Sequence, residues 1–387
     1  MRSYKNGLLP VKTWANEIEE SAFKQVENLS NLPFAYHHIA LMPDCHCGYG
    51  MPIGGVLATN DVIIPNAVGV DIGCGMVAVK TTATKITEEQ IKQIIGKARE
   101  VIPVGFKHHQ NPQESSVFDN APLNIPIIKQ EFENMKYQLG TLGGGNHFIE
   151  IQKGDDDHIW LMIHSGSRNL GKKVCDLYNK IAQDHNAEYY STVPKEWQLA
   201  FLPASSMSAT EYLTAMNFCL EFAYANRGHM MNKLVEIFND VTGHGEESHI
   251  NIHHNYAALE NHFGKNVWVH RKGAIRMREG EKGIIPGSMG TPSYIVEGLG
   301  NKESFMSASH GAGRKMSRSE ADKTFTEEEA NKSIDGVVFG RWNKNRKGGL
   351  DLSECPLAYK NIEEVIRNES DLVKPLVKLQ PLGVMKG

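Results

Sequence analysis

The chain has 387 residues, 41% hydrophobic and 22% charged, an ordinary globular balance with length enough for a large core. A net charge of −4 excludes a globally basic nucleic-acid binder, although a local basic groove remains compatible with it. Six cysteines are too few for a disulfide framework at this length, and no apolar run reaches the roughly 18 residues of a membrane-spanning helix.

No apolar leader follows Met1 to Asn6, so the reading is a cytoplasmic protein without signal peptide or membrane span, its thiols reduced. Val11 to Trp14 reads as a short strand, and Glu17 to Leu29 as an amphipathic helix. An apolar strand from His38 then runs into a turn carrying Asp44, Cys45, His46 and Cys47. Cys-x-Cys is weak ground for a metal site, and Asp44 is read as supporting other groups or facing substrate. Ile53 to Thr59 and Val62 to Pro65 are strands leading into Val68-Gly69-Val70-Asp71-Ile72-Gly73-Cys74-Gly75. There a carboxylate and a thiol lie three residues apart among glycines, close enough to reach one metal ion if the chain turns tightly. Met76 to Thr81 leaves that motif as a strand. Thr87 and Gln90 form a capping box for a helix whose apolar face is Ile91, Ile94, Ile95, Ala98 and Ile102. Residues 105–125 read as a surface loop in which His108 and His109 are solvated.

Gly140 to Glu150 combines a glycine run with Asn146, His147 and Glu150 at the entry to a strand. Ile159 to Ile163 is a continuous apolar run, the pattern of a strand buried on both faces, and it delivers His164 and Arg168. Ser208 and Glu211 are read as a second capping box, opening a helix with Tyr212, Ala215, Met216, Cys219, Phe222, Ala223 and Met230 inward. Ile250 to Ile252 delivers His253 and His254. The strand Val267 to Val269 leads to Arg271 and Lys272, a pair suited to phosphates. Ile284 to Ile285 and Ser293 to Val296 are strands around the turn Pro286-Gly287-Ser288-Met289-Gly290. Ser309-His310-Gly311-Ala312-Gly313 precedes Arg314, Lys315 and Arg318; a helix opened at Gly313 would favour an anionic ligand. The tail reads as loop from Trp342 to Asp351, helix from Ile362 to Arg367, a segment Leu376 to Leu379, and an end at Lys386-Gly387 that by composition alone would fray.

Asp71, Cys74, His147, His164 and His254 each lie at a strand end or in a glycine-bordered turn. Together they offer one carboxylate, one thiolate and three imidazoles, enough for two metal ions if the sulfur bridges. Ligand softness alone points to zinc, and the surrounding glycine loops favour a catalytic over a structural site. His310, among small residues and followed by cations, suits attack on a phosphoryl group; its alternative is a further metal ligand.

With these residues in view, the sequence resembles the RtcB family of RNA-splicing and repair ligases along essentially its whole length. The matching motifs are Gly69 to Gly75, Gly145 to Glu150, His164 to Arg168, His254-Asn255, Pro286 to Gly290, Ser309 to Arg314 and the closing Lys386-Gly387. The resemblance implies one α+β domain over residues 1–387, with a mixed β-sheet core surrounded by helices and the active site in a central cleft. It implies a ligase that joins RNA 3′-phosphate or 2′,3′-cyclic phosphate ends to 5′-hydroxyl ends, using GTP and two manganese ions rather than zinc, in RNA splicing or repair.

By the same resemblance, His310 is the nucleophile that carries GMP, and the ligands are Asp71, Cys74, His147, His164 and His254, with Cys74 bridging. The GTP positions are Asn146, His147, Glu150, His254, Asn255, Pro286, Gly287, Ser288, Met289, Ser293, His310, Gly311, Ala312, Gly313 and Lys386. Glu150 and Lys386 read the guanine base, while Arg168 and Arg318 match positions that bind RNA phosphates. An archease-like activator is a further partner the family suggests. The Cys45 and Cys47 thiols depart from the family pattern and are assigned no function. Two rival readings use the same residues: a dinuclear metallo-phosphoesterase that opens RNA cyclic phosphates without ligation, and a silent RNA-binding module. The Gly-Ser-Met cluster and Lys386 count against the first, the complete nucleophile and ligand set against the second.

Overall fold

The computed structural model describes residues 1–5, 7–340, 342, 344 and 348–387. It is a mixed α+β architecture whose two main sheets share an apolar core, Val56, Ala58, Val267 and Val269 of one packing with Ile285, Tyr294 and Val296 of the other, together with helices. Among the described residues the first sheet has the order Arg2–Lys5, Pro10–Thr13, Ala35–His46, Ile53–Thr59, Lys265–Lys272, Asn255–His262. The second has the order Glu246–His253, Gly75–Thr81, Ile159–Ser165, Phe148–Gly154, Val373–Lys386, Ser293–Gly298, Lys282–Ile285. Pairing is mostly antiparallel, with Pro10–Thr13 on Ala35–His46 and Val338–Phe339 on Val373–Lys386 parallel.

The apolar run Ile159 to Ile163 is buried on both faces, as its composition requires. Ile159, Leu161 and Ile163 join Ile91, Ile94 and Ile95 of the helix Glu88–Val101, and Met230, Leu234 and Phe238 of the helix Met207–Thr242. Trp160 and Met162 face the other way, onto Phe148, Ile284, Ile295 and Leu379. The Thr87–Gln90 capping box is present. The long helix begins two residues earlier than the sequence reading: Ser206, not Ser208, accepts from the Ala209 amide, because Ser208 already lies within the first turn. Tyr212, Ala215, Met216, Cys219, Phe222, Ala223 and Met230 all face inward from this helix.

Other elements depart from the sequence reading. Asp44, Cys45 and His46 lie within the strand Ala35–His46 rather than in a turn after it. Helices Pro126–Gln138 and Asn169–Glu188 carry no expectation from sequence, although Pro126 at the first position marks the start of one of them. Gly313 does not open a helix. With φ +72° it makes a turn in which an added Cβ would lie 2.2 Å from the Asp44 carbonyl oxygen, and the next helix is Arg318–Thr324, capped by Ser317. The segment Leu376 to Leu379 is the middle of the long strand Val373–Lys386, which anchors Lys386 by pairing with Phe148. The loop expected from Trp342 to Asp351 falls partly outside the described residues. No described helix is long and apolar enough to cross a membrane.

Arg271 and Lys272 do not face phosphates. Arg271 is fully buried, its guanidinium in a bidentate pair with Glu260 at 2.5 and 3.0 Å and bonded to Ser307 and the Phe305 carbonyl. Lys272 donates to the carbonyls of Tyr49 and Asn66. A buried cation without such partners would be prohibitively costly, so these partners fix both side chains inside.

Candidate active site

The chain crosses from the second sheet to the first at His254, between the strands Glu246–His253 and Asn255–His262. The His254 amide donates to the Cys74 carbonyl at 2.9 Å, which pins this crossing to the Asp71–Cys74 turn. That turn is closed by the Cys74 amide donating to the Asp71 carbonyl at 3.1 Å, and by the Gly73 amide donating to Asn255. Gly166 admits the carboxylate: a Cβ there would lie 2.4 Å from Asp71 Oδ1.

Around this turn the five expected ligands converge. Asp71, Cys74 and His147 form one group of potential metal ligands, and Cys74, His164 and His254 another, so that Cys74 is common to both. Cys74 Sγ lies 3.2 Å from His164 Nε2 and 3.6 Å from His147 Nε2, and His147 Nε2 lies 3.4 Å from Asp71 Oδ2. His147 Nδ1 donates to the Leu142 carbonyl at 2.9 Å and His164 Nδ1 to the Asn146 carbonyl at 3.1 Å. Each ring thereby keeps its Nε2 lone pair for a cation, the usual device for orienting a metal-binding histidine. His254 Nδ1 is buried with no hydrogen-bond partner among the described residues.

The electrostatics fit a divalent cation. Burial holds the His164 and His254 rings well below the usual imidazole pKa, and so neutral, the form that binds metal. Burial and the neighbouring Asp71 carboxylate push the Cys74 thiol well up, so a thiolate there needs a positive ion beside it. Burial opposes the Asp71 charge, but the His147 ring outweighs it and holds the carboxyl below its ordinary pKa. The donor set, the two fixed tautomers and the unsatisfied His254 nitrogen are what a metal centre requires.

Beside the cluster opens a cavity of about 560 Å³. His164 and His310 are in its wall, as are Asn146 and Glu150 from the glycine-loop segment, Pro286 to Met289, and Gly311 to Gly313; Arg318 and Lys386 complete the positions expected from sequence. His310 ends the short strand Ser307–Ser309, and its ring stands edge-on to His254 at 4.9 Å. Its Nδ1 donates to Asp44 Oδ2 at 2.6 Å, and its amide donates to the same oxygen at 3.1 Å. The carboxylate thus fixes one tautomer and leaves Nε2 with its lone pair.

Three expected positions lie elsewhere. The Asn255 amide group donates to the Asp71 carbonyl and accepts from the Gly273 amide, bracing the ligand turn. The Ser293 hydroxyl accepts from Gln152 and from the Gly287 amide, behind the cavity wall. Arg168 donates to the Thr141 hydroxyl at 2.9 Å and to the Gly105 carbonyl at 2.8 Å, away from the cavity.

Two groups absent from the sequence reading organise the site. Glu354, in the cavity wall, pairs with Arg318 at 2.7 Å, Arg314 at 3.3 Å and Lys386 at 3.5 Å, and accepts from the Tyr359 hydroxyl. Burial opposes its charge, but Lys386 and Arg318 prevail and hold it down at about 2. The second group is Asn226 and Arg227 of the long helix, both fully buried. Asn226 accepts from the Gly140 and Thr141 amides and donates to Thr141, Ser165 and Gly166. Arg227 donates to the Gly73 and Ser165 carbonyls, each at 3.0 Å. One helix turn therefore ties down the three segments that carry Asp71 and Cys74, His147, and His164. In sequence both residues look like polar interruptions of an apolar stripe, which is the one signal that marks them. At Cys45 and Cys47 no metal-binding group forms among the described residues; Cys45 is buried, and burial pushes its thiol up to about 11.

A sequence model of the family described as tRNA-splicing ligase RtcB matches residues 25–125 and 124–387. The chain is 38% identical to the RNA-splicing ligase RtcB of Escherichia coli strain K12, in an alignment covering 98% of this chain and 97% of that protein. It is 31% identical to the tRNA-splicing ligase RtcB of Methanococcus maripaludis, covering 100% of this chain and 96% of that one. It is also 30% identical to the RNA-splicing ligase RtcB of Mycobacterium bovis, covering 94% of this chain and 100% of that protein. Matched at this identity over nearly its full length, and carrying His310 on a cavity that His164 of the candidate ligand cluster also lines, the chain belongs to the RtcB family.

Proposed function

We propose that this protein is a GTP- and manganese-dependent RNA ligase that joins 3′-phosphate or 2′,3′-cyclic phosphate ends to 5′-hydroxyl ends through a guanylylated His310. The observation that carries the reading is the His310 ring: it opens on a 560 Å³ cavity beside the ligand cluster while Asp44 holds its Nδ1–H at 2.6 Å. A histidine held in this way is a nucleophile at Nε2.

In the first step Nε2 attacks the α-phosphorus of GTP. The N–P bond forms, the bond from the α-phosphorus to the β-bridging oxygen breaks, and pyrophosphate leaves. The ring becomes positive as it bonds, and the Asp44 carboxylate on Nδ1–H offsets that charge. A 3′-phosphate oxygen of the RNA then attacks the GMP phosphorus, the P–N bond breaks, and His310 returns to its neutral form. In the last step the 5′-hydroxyl oxygen attacks the RNA 3′-phosphorus, losing its proton, and GMP departs. A cyclic phosphate is first opened by water to the 3′-phosphate. Divalent cations, when bound by Asp71, Cys74, His147, His164 and His254 with Cys74 shared, supply positive charge against the phosphate oxygens.

The choice of guanine rests on Glu150 and Lys386, both in the cavity wall. A carboxylate accepts from guanine N1–H and the N2 amino group, and an ammonium donates to O6; adenine offers neither match. Pro286 to Met289 and Gly311 to Gly313 bring backbone close to the triphosphate.

Incubation with manganese and α-labelled GTP is expected to give an acid-labile protein–GMP adduct, absent in His310→Ala and not formed from ATP, CTP or UTP. Cyclic phosphate opening without any adduct would overturn the ligase reading in favour of a phosphoesterase.

A further inference from the structure

The segment Val104–His109 has no assigned role, yet it presents Phe106 with its side chain 100% exposed, the most exposed large apolar residue described. A phenyl ring in water gains nothing for folding. Loop tips that carry such residues by chance are usually mobile, whereas this one is fastened at several points. The Lys107 amide donates to the Val104 carbonyl, closing a tight turn with Phe106 at its tip. The Gly105 amide donates to the Gly143 carbonyl at 2.9 Å, and Arg168 donates to the Gly105 carbonyl at 2.8 Å. Arg168 itself sits at φ +57°, ψ −148°, a conformation non-glycine residues rarely adopt, directly before the helix Asn169–Glu188. The fold thus commits a strained arginine and three hydrogen bonds to holding one exposed ring.

The anchor of this turn is the loop that carries Asn146 and His147. Gly143 and Gly144 touch Gly105, and Gly145 faces the Arg318 guanidinium, which is in the cavity wall. Lys107 and His108 follow Phe106 in the chain and are exposed. An exposed aromatic ring with a lysine next to it, on a fastened turn beside the loop that reaches the cavity, matches what unpaired nucleic acid binds: a face for a base and positive charge for its backbone.

We propose that Phe106 is a stacking platform for an unpaired base of the RNA strand that ends in the 3′-phosphate, with the adjacent Lys107 supplying positive charge to its backbone. Arg168 positions this platform through Gly105. The proposal rests on the RNA-ligase reading for the identity of the strand. Because the mount is rigid before binding, stacking costs little ordering of the protein.

The test uses the full-length protein and a short single-stranded RNA ending in a 3′-phosphate, carrying 2-aminopurine at successive positions from that end. At one position the wild type is expected to quench the fluorophore. Phe106→Ala abolishes the quenching and weakens binding about tenfold, while Phe106→Trp restores both. An RNA abasic at that position is expected to bind wild type and Phe106→Ala equally. Unchanged quenching and affinity in Phe106→Ala would overturn the proposal, as would a loss in Phe106→Ala that persists undiminished on abasic RNA. Binding of a protein partner at Phe106 with RNA affinity unaffected would also overturn it. The GMP adduct of the wild type, formed without RNA, reports the ligase reading separately.

Discussion

Glu150 keeps its proton at neutral pH because burial pushes its pKa up to about 8, with Lys386 pulling only part of the way back. A carboxyl raised in this way binds more protons folded than unfolded between about pH 4.5 and 8. Its contribution to stability is therefore fully present below pH 4.5, and it is lost as the pH rises through 8. In Glu150→Gln, which does not titrate, the fall in stability across that window is expected to be shallower than in the wild type. Urea unfolding at several pH values measures it; identical slopes would show that Glu150 ionises normally. On the proposed reading the proton also has a chemical meaning, since the guanine donor edge needs a carboxylate acceptor: GTP would have to displace it, and Lys386 favours the charged form.

At the scale of elements, the helix Met207–Thr242 is the fixture on which the site is mounted, through Asn226 and Arg227. Asn226→Ala would remove the side-chain partner of the Gly140 amide and of the Thr141 and Gly166 carbonyls. We expect a loss of about 3 kcal/mol in stability and roughly tenfold weaker manganese binding by titration calorimetry, with all five ligands still in place. Undiminished metal affinity in that variant would confine Asn226 to the core. This dependence also marks what sequence can and cannot show. The five candidate ligands that the fold gathers together could be picked out in sequence because each ends a strand or sits among glycines, a local pattern. Glu354 was not, since an isolated glutamate acquires meaning only when Arg314, Arg318 and Lys386 arrive from elsewhere in the chain. Arg271 and Lys272 were misread for a related reason: their acceptors, Glu260 on the neighbouring strand and Tyr49 and Asn66 in distant non-strand segments, come from tertiary packing, not from neighbours in sequence. The interior of the long helix was plain from its apolar stripe, while its true cap, Ser206, was hidden by a second serine one turn-position later.

At the scale of the whole molecule, the candidate ligands gather where the chain crosses between the two sheets. His164 stands on one sheet, Asp44 holds His310 from the other, and His254 is the link between them. Manganese at about 100 times its dissociation constant should stabilise the fold by about 2.7 kcal/mol. A melting curve with manganese against one with chelator is expected to show a rise of several degrees, absent in Cys74→Ala. An equal rise in that variant would place the stabilising ion elsewhere.

The crossing at His254 also has a consequence for how damage to this protein is read. Gly75 pairs with His253 inside the second sheet, one residue before the crossing, and a Cβ there would come within 1.9 Å of the Ile252 carbonyl oxygen. A larger residue at Gly75 is expected to push this strand, and with it the His254 amide, away from the Cys74 carbonyl without altering a single candidate ligand. A map of inactivating substitutions would then mark the strand pair that positions His254 as darkly as the candidate site itself, and a defect that resembles loss of a ligand would originate in a glycine that is none.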